Sequence, residues 1–316
     1  MLPDLVPDDQ LDRISSFGYA LGYLGGGLLF LINVLMTLQP DWFGLAGPAE
    51  AVRLSFLTVA IWWGGFSVFT LIWVPEVSQG PPAKGNPVLA GFQQLAETFR
   101  KIRHLRTLFI FLAAYWFYID GVGTVIRMAV DYGLSIGFSS SDLITALLLV
   151  QFIGFPAALF FGQLGTRWDS RKSILIGIGI YLIITVWGTQ MRSQFEFYGL
   201  AVLIGIAQGG VQALSRSFYA RLIPKNQTAE YFGFYNALGK FAAIIGPVLM
   251  GMTALVAKGW LLGDNPSTAE LESVGQEAAR WSIASISILL LIGGSLLWKV
   301  DEEQGRREAR ILERHD

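Results

Sequence analysis

Apolar residues in this chain gather into eight long stretches: Phe17–Leu38, Ala51–Val74, Leu105–Met128, Asp142–Leu164, Ser173–Met191, Phe197–Tyr219, Tyr231–Ala257 and Ala279–Val300. Each holds roughly 19–27 residues, and a hydrocarbon core about 30 Å thick takes about 20 residues of helix to cross. In hydrocarbon every backbone N–H and C=O must be paired internally, so each stretch is expected to be an α-helix. Helices of soluble proteins rarely stay apolar on all faces for so long. The pattern predicts an all-α, polytopic membrane protein with eight transmembrane helices.

The polar residues inside these stretches are patterned. Asn33 lies in the first, Asp120 and Arg127 in the third, Gln151 in the fourth, Gln208 and Gln212 in the sixth, and Asn236 and Lys240 in the seventh. The second, fifth and eighth carry no charge or Asn in their interiors, and only Gln190 near one end. Every third helix is therefore suited to face lipid, with two of each three lining a shared interior. At 1.5 Å per residue, Gln151 and Lys240 fall about 13 Å, and Gln208 about 16 Å, from the nearer start of their helices, close to the midplane. Gln208 and Gln212 share a helix face, as do Asn236 and Lys240. Secondary transporters bind substrate at this depth.

Asp120 stands in Tyr118-Ile119-Asp120-Gly121-Val122-Gly123, where two glycines are expected to loosen the helix and admit other groups. Asp120, together with Lys240, is expected to couple to a proton or substrate; the alternative for Asp120 is a structural ion pair with Lys240 or Arg127. For Gln151, Gln208, Gln212, Asn236 and Asn33 the choice is between cargo contact and interhelical hydrogen bonding. Pro156 and Pro247, with Gly154 and Gly246 nearby, predict kinks.

Charge sets the orientation. Basic clusters (Arg100, Lys101, Arg103 and Arg106; Arg167, Arg171 and Lys172; Arg216, Arg221 and Lys225; Arg306, Arg307, Arg310 and Arg314), with Arg13, Lys84 and Lys299, fall on one side of the membrane. The opposite side holds only Arg53, Arg127, Arg192, Lys258 and Arg280. By the positive-inside rule both termini are cytoplasmic. The linker from Pro75 to Pro87 is rich in Gly and Pro and includes Lys84. After it, Leu89, Phe92, Leu95, Phe99 and Ile102 recur at helical spacing beside Arg100, Lys101 and Arg103, which predicts a short helix on the inner leaflet. Residues 301–316 read as a charged, solvated cytoplasmic tail.

Composition removes several function classes. The net charge of −1 offers no footprint for nucleic acid. Cysteine is absent, and the two histidines, His104 and His315, lie outside the apolar stretches, so no metal site or other cofactor is expected. No paired aspartates or Ser/His set at one depth suggests an intramembrane enzyme. The glycines of the first and sixth stretches follow no strand and precede no Lys-Ser or Lys-Thr, which argues against an ATP-driven permease.

The segment Gly162-Gln163-Leu164-Gly165-Thr166-Arg167-Trp168-Asp169-Ser170-Arg171-Lys172 resembles the motif of major facilitator transporters between the second and third helix of each six-helix half. Gly162, Leu164, Arg167 and Arg171/Lys172 are kept, while Thr166 stands for the acidic residue and Asp169 for the second glycine. Three further strings resemble the vacuole effluxer family, the autophagy-related permease branch of that superfamily. They are Leu11 to Gly27, Phe117 to Thr124, and Gln212 to Ser217 with Ala229 to Phe241. The resemblance implies a twelve-helix parent of which this chain starts before the fifth helix. Residues 1–74 would then be a two-helix remnant of the N-terminal half, 75–104 a cytoplasmic loop, and 105–300 a complete C-terminal half. It implies efflux of small solutes such as amino acids by alternating access in a bacterial inner membrane, with proton coupling an option. It makes Gly162, Leu164, Arg167, Asp169, Arg171 and Lys172 a cytoplasmic gate motif; Arg167, Arg171 and Lys172, with Arg216 and Arg221, either form that gate or simply obey the positive-inside rule. A fragment of this kind is expected to be inactive alone. The competing expectation is a non-transporting membrane scaffold or partner subunit.

Overall fold

The structure, a computed structural model, describes residue 3 and residues 6–74, 87–262 and 267–315. The linker at 75–86, with Lys84, lies outside the described residues. Every regular element among those described is helical. In chain order they are α1 (Leu11–Leu38), α2 (Pro48–Trp73), α3 (Pro87–Ile102), α4 (Arg106–Ser135), α5 (Ser140–Arg167), α6 (Ser170–Gln190), α7 (Gln194–Leu222), α8 (Thr228–Phe241), α9 (Ile245–Leu261), α10 (Thr268–Trp298) and α11 (Glu302–His315). Short 3-10 turns lie at Pro40–Phe43 and Lys225–Gln227. Eight membrane spans result, α8 and α9 together forming the seventh.

The helices run past the apolar stretches where capping allows. Ser139 with Asp142, Ser193 with Glu196, and Ser267 with Glu270 form reciprocal capping boxes at the starts of α5, α7 and α10. Each satisfies two N–H groups that the first turn leaves free. All three lie at the end of the bundle opposite the basic clusters. At the basic end, the Asp169 carboxylate caps α6, accepting from the backbone N–H of Arg171 (2.7 Å) and Lys172 (3.2 Å).

The core sits among α4, α6, α7 and α10, where Phe111, Tyr118, Val122, Tyr181, Leu214, Phe218, Ile286 and Leu290 are buried together. α7 packs closely on α5, and α1 fills the groove between them. The approach needs Gly210, where a Cβ would stand 2.2 Å from the Phe161 ring. α6 and α10 turn Ile176, Ile183, Val186, Ile288, Leu291 and Ile292 outward, an apolar surface suited to acyl chains. α2 packs on α1 and buries only Ala51, leaving Phe56, Ile61, Trp63, Leu71 and Trp73 exposed.

Two expectations are corrected. The seventh span is broken between Phe241 and Ile245 rather than kinked. Pro247 has no N–H to give, and its ring would press on the carbonyl four residues back at Ala243, so the first half-helix stops short of it. The tail beyond Val300 is also not a solvated end. α11 lays Gly305, Ala309 and Leu312 against the bundle, with Ala309 buried and Gly305 against Leu222 and Thr107. The Thr107 N–H and Oγ1 both donate to Glu308 (3.1 Å each), and the Lys225 N–H donates to Glu313 (2.6 Å).

Candidate functional site

Restarting a helix inside a membrane leaves backbone N–H groups without intrahelical partners, and in hydrocarbon each is costly. At the start of α9 the partner is Asp120 of α4. Its Oδ2 accepts from the Gly246 N–H at 2.8 Å, and its Oδ1 accepts from Thr124 Oγ1 at 3.2 Å. Arg127 folds back along α4 and brings Nη2 to 3.7 Å from the same Oδ1. Asp120 is 1% exposed, whereas the Arg127 side chain is 45% exposed. A buried carboxylate therefore sits at the positive end of a half-helix, with a cation on its open side.

Missing side chains make this possible. A Cβ at Gly246 would lie 1.9 Å from Thr124 Oγ1, and one at Gly123 would lie 2.8 Å from Arg127 Nη1. Gly121 accommodates Leu290 of α10. α4 remains helical through Gly121 and Gly123, so these glycines admit neighbours without loosening the helix.

The two halves of the seventh span lean on different partners. Tyr235 of α8 stacks between Tyr115 of α4 and Tyr219 of α7, with ring centroids 4.3 and 4.6 Å apart. α9 instead packs mainly on α10. The break thus separates a segment anchored by an aromatic stack from one held by apolar packing and Asp120.

Lys240 does not meet Asp120. It is exposed and has no ion-pair partner among the described residues. With Ala229, Gly233 and Asn236 it forms an exposed small and polar stripe along α8, while α9 exposes Val248, Met252, Leu255 and Val256. Gln151 is half-buried against Gly26 and Gly27 of α1. Gln208 and Gln212 are half-buried on α7, and Gln208 Oε1 is buried without a hydrogen-bond partner. Asn33 Oδ1 accepts from Thr58 Oγ1 (2.9 Å), which ties α1 to α2.

At the basic end Gly162 and Gly165 receive α1. A Cβ at Gly162 would lie 2.6 Å from Ser16 Cβ, and one at Gly165 would lie 3.4 Å from the Asp12 carboxyl. Asp12 then accepts from Ser170 Oγ (2.7 Å) and Ser217 Oγ, and pairs with Arg221 Nη1 at 3.1 Å. Arg221 also reaches Glu302 of α11 (2.9 Å), which pairs with Arg306 (2.6 Å). Asp12 of α1 therefore adds a second carboxylate beside the start of α6, next to the capping Asp169, where Thr166 supplies none. Leu164 is half-buried, Arg171 donates to the Val300 carbonyl at the end of α10, and Arg167 and Lys172 are exposed. Sequence reasoning missed Asp12, Ser170, Ser217 and Glu302, which lie far apart along the chain. The available signal for α11 was its small and apolar stripe, Gly305, Ala309 and Leu312. No cluster of side chains able to hold a metal ion occurs among the described residues.

Residues 6–254 match the family model described as vacuole effluxer Atg22 like. The uncharacterized MFS-type transporter YxiO of Bacillus subtilis is 38% identical over 306 residues, covering 96% of this chain and 66% of that protein. Autophagy-related protein 22-2 of Emericella nidulans is 26% identical over 343 residues, covering 98% of this chain and 54% of the relative. The chain thus spans about half to two thirds of the length of these relatives. In fold it resembles the inward-facing, unoccupied bacterial homolog to the human lysosomal transporter Spinster. The TM-score is 0.50 at 16% identity, covering 93% of this chain and 69% of the other. By its sequence match, its eight spans and its fold, the chain belongs to the vacuole effluxer Atg22-like family of MFS-type transporters.

Proposed function

We propose that the protein serves secondary active export of a small solute, such as an amino acid, by alternating access in a bacterial plasma membrane, with both termini cytoplasmic. The observation that carries this reading is the break in the seventh span, closed by a buried carboxylate. Transporters place substrate and coupling ions beside discontinuous helices near the midplane. Asp120 is the proposed coupling group. Taking up a proton would weaken its hold on the Gly246 N–H and on Arg127, which links protonation to the seating of α9. Asn236 and Lys240 on the exposed stripe of α8, with Gln212, Gln208 and Gln151, are the proposed cargo contacts. A closed scaffold would instead call for an Asp120–Lys240 pair, and Lys240 stands apart.

We further propose that these eight helices do not complete the pathway by themselves. α2 leaves almost its whole surface bare, and among the described residues no helix covers the polar stripe of α8. The test is solute flux in proteoliposomes. The eight-helix chain is compared with a chimaera that carries the first four helices of a full-length family member ahead of Leu11. Amino-acid flux is expected only in the chimaera. Flux through the chain alone overturns the incompleteness, and no flux of any amino acid through the chimaera overturns the cargo class. Asp120→Asn in the chimaera is expected to lower proton-linked flux roughly tenfold or more, the equivalent of one charge-assisted hydrogen bond. Undiminished flux removes Asp120 from coupling.

A further inference from the structure

The helix α3 has two stripes, and the bundle uses one of them. Thr98 and Ile102 are buried, and Leu95 is half-buried. Thr98 Oγ1 donates to Glu230 (2.6 Å), Lys101 Nζ donates to Gln227 (3.0 Å) and lies 3.5 Å from Glu230, and Phe99 stacks partly on Phe234 at 6.3 Å. All these contacts go to the 3-10 turn before α8 and to α8 itself, where the seventh membrane span begins. The neighbouring stripe, Leu89, Phe92, Ala96 and Phe99, is exposed.

Position restricts what can cover that stripe. α3 ends at Ile102 and the third membrane span begins at Arg106, across a tight turn in which the Leu105 N–H donates to the Ile102 carbonyl. The helix is therefore pinned at the membrane boundary at two places, its own C-terminus and the start of α8. Charge restricts it further. Arg100, Arg103 and Arg106 are exposed beside the stripe, against one exposed acid, Glu97, among the described residues of α3 and the turn after it. An apolar stripe rimmed by cations at the level of the headgroups matches a bilayer surface that carries anionic phospholipid.

We propose that α3 is an anionic-lipid-binding helix that inserts Leu89, Phe92 and Phe99 among the acyl chains and holds the start of α8 at the membrane surface. Its chemistry is independent of the cargo and of the transport reading. The full chain has no cysteine, so single labels are clean. Phe92→Cys and Gln94→Cys chains, each carrying a nitroxide, are reconstituted in nanodiscs of phosphatidylcholine with or without phosphatidylglycerol. In the anionic discs the label at 92 is expected to be relaxed by oxygen and shielded from a water-soluble nickel chelate, and the label at 94, on the opposite side of the helix, the reverse. Arg100→Gln with Arg103→Gln is expected to shift the label at 92 toward water, by roughly fivefold in the inserted-to-free ratio for each charge removed. Three results overturn the proposal. One is a water-exposed label at 92 in both lipids, and another is a label hidden from oxygen and nickel alike, which means protein covers the stripe. The third is equal insertion with and without phosphatidylglycerol. Thr98 and Ile102 are untouched in these variants, so docking on α8 serves as an internal control for folding.

Discussion

Arg221→Ala is expected to destabilise the protein by about 3–5 kcal/mol, the cost of stranding a buried charge by removing its partner. Arg221 is 4% exposed and touches three elements at once: Asp12 of α1, Ser170 of α6 and Glu302 of α11. Its guanidinium also lies 5.9 Å from the Phe218 ring centroid. Without it, the Asp12 carboxylate, itself nearly buried, keeps only two serine hydroxyls. Glu302 keeps Arg306 and some water, so the loss centres on Asp12. Thermal unfolding in detergent is expected to begin earlier, and trypsin is expected to cut after Arg306 and Arg307 as α11 lifts away. The paired change Asp12→Asn with Arg221→Met should recover most of the loss, because an uncharged pair of similar volume has no ion to strand. An unchanged midpoint with α11 still protected would mean that the network contributes nothing to the fold.

The spans were legible because a membrane makes length and hydropathy nearly sufficient. Twenty apolar residues have few other places to go. The break at Ala242–Ile244 was not, because its residues are as apolar as their flanks and the hydropathy of the seventh stretch runs through unmarked. Pro247 announced a disturbance, and only the nearness of Asp120 decided that it would be a restart. Asp120 itself stood out, since a carboxylate in an apolar run is rare enough to matter. Its partner was open between Lys240 and Arg127, and the cation that lies 3.7 Å from it is Arg127. Arg127 is on the same helix with Gly123 cleared beneath its side chain, whereas Lys240 is on a stripe that turns elsewhere. The Asp12–Arg221–Glu302 set was illegible for a different reason. Its members come from three distant parts of the chain, and each alone reads as an ordinary charge at a helix end.

Gly246→Ala is expected to unseat α9 and to be among the most damaging single-methyl additions in the protein. The new Cβ would lie 1.9 Å from Thr124 Oγ1, 2.8 Å from Thr124 Cβ and 3.0 Å from Asp120 Oδ1. Thr124 is fully buried and its hydroxyl already donates to Asp120, so turning it away breaks that bond. Moving α9 instead breaks the bond from the Gly246 N–H to Asp120. Overpacking costs about 1–3 kcal/mol and a lost hydrogen bond to a charged group about 1.5–3 kcal/mol, so a total near 3–5 kcal/mol is expected. Gly251→Ala is the matched control, in the same half-helix, with nothing within 4 Å of its added Cβ. That change should be neutral or slightly stabilising, as Ala favours a helix interior over Gly. Adding Thr124→Ala to Gly246→Ala removes the closest overlap but leaves the Cβ contact, so partial recovery of the unfolding midpoint is expected. If Gly246→Ala and Gly251→Ala unfold alike, α9 is not docked on Asp120, and the carboxylate must find its partners elsewhere in the bundle. If they differ as expected, while flux through the chimaera falls further than stability does, then the seating of α9 on Asp120 is part of the transport cycle as well as of the fold.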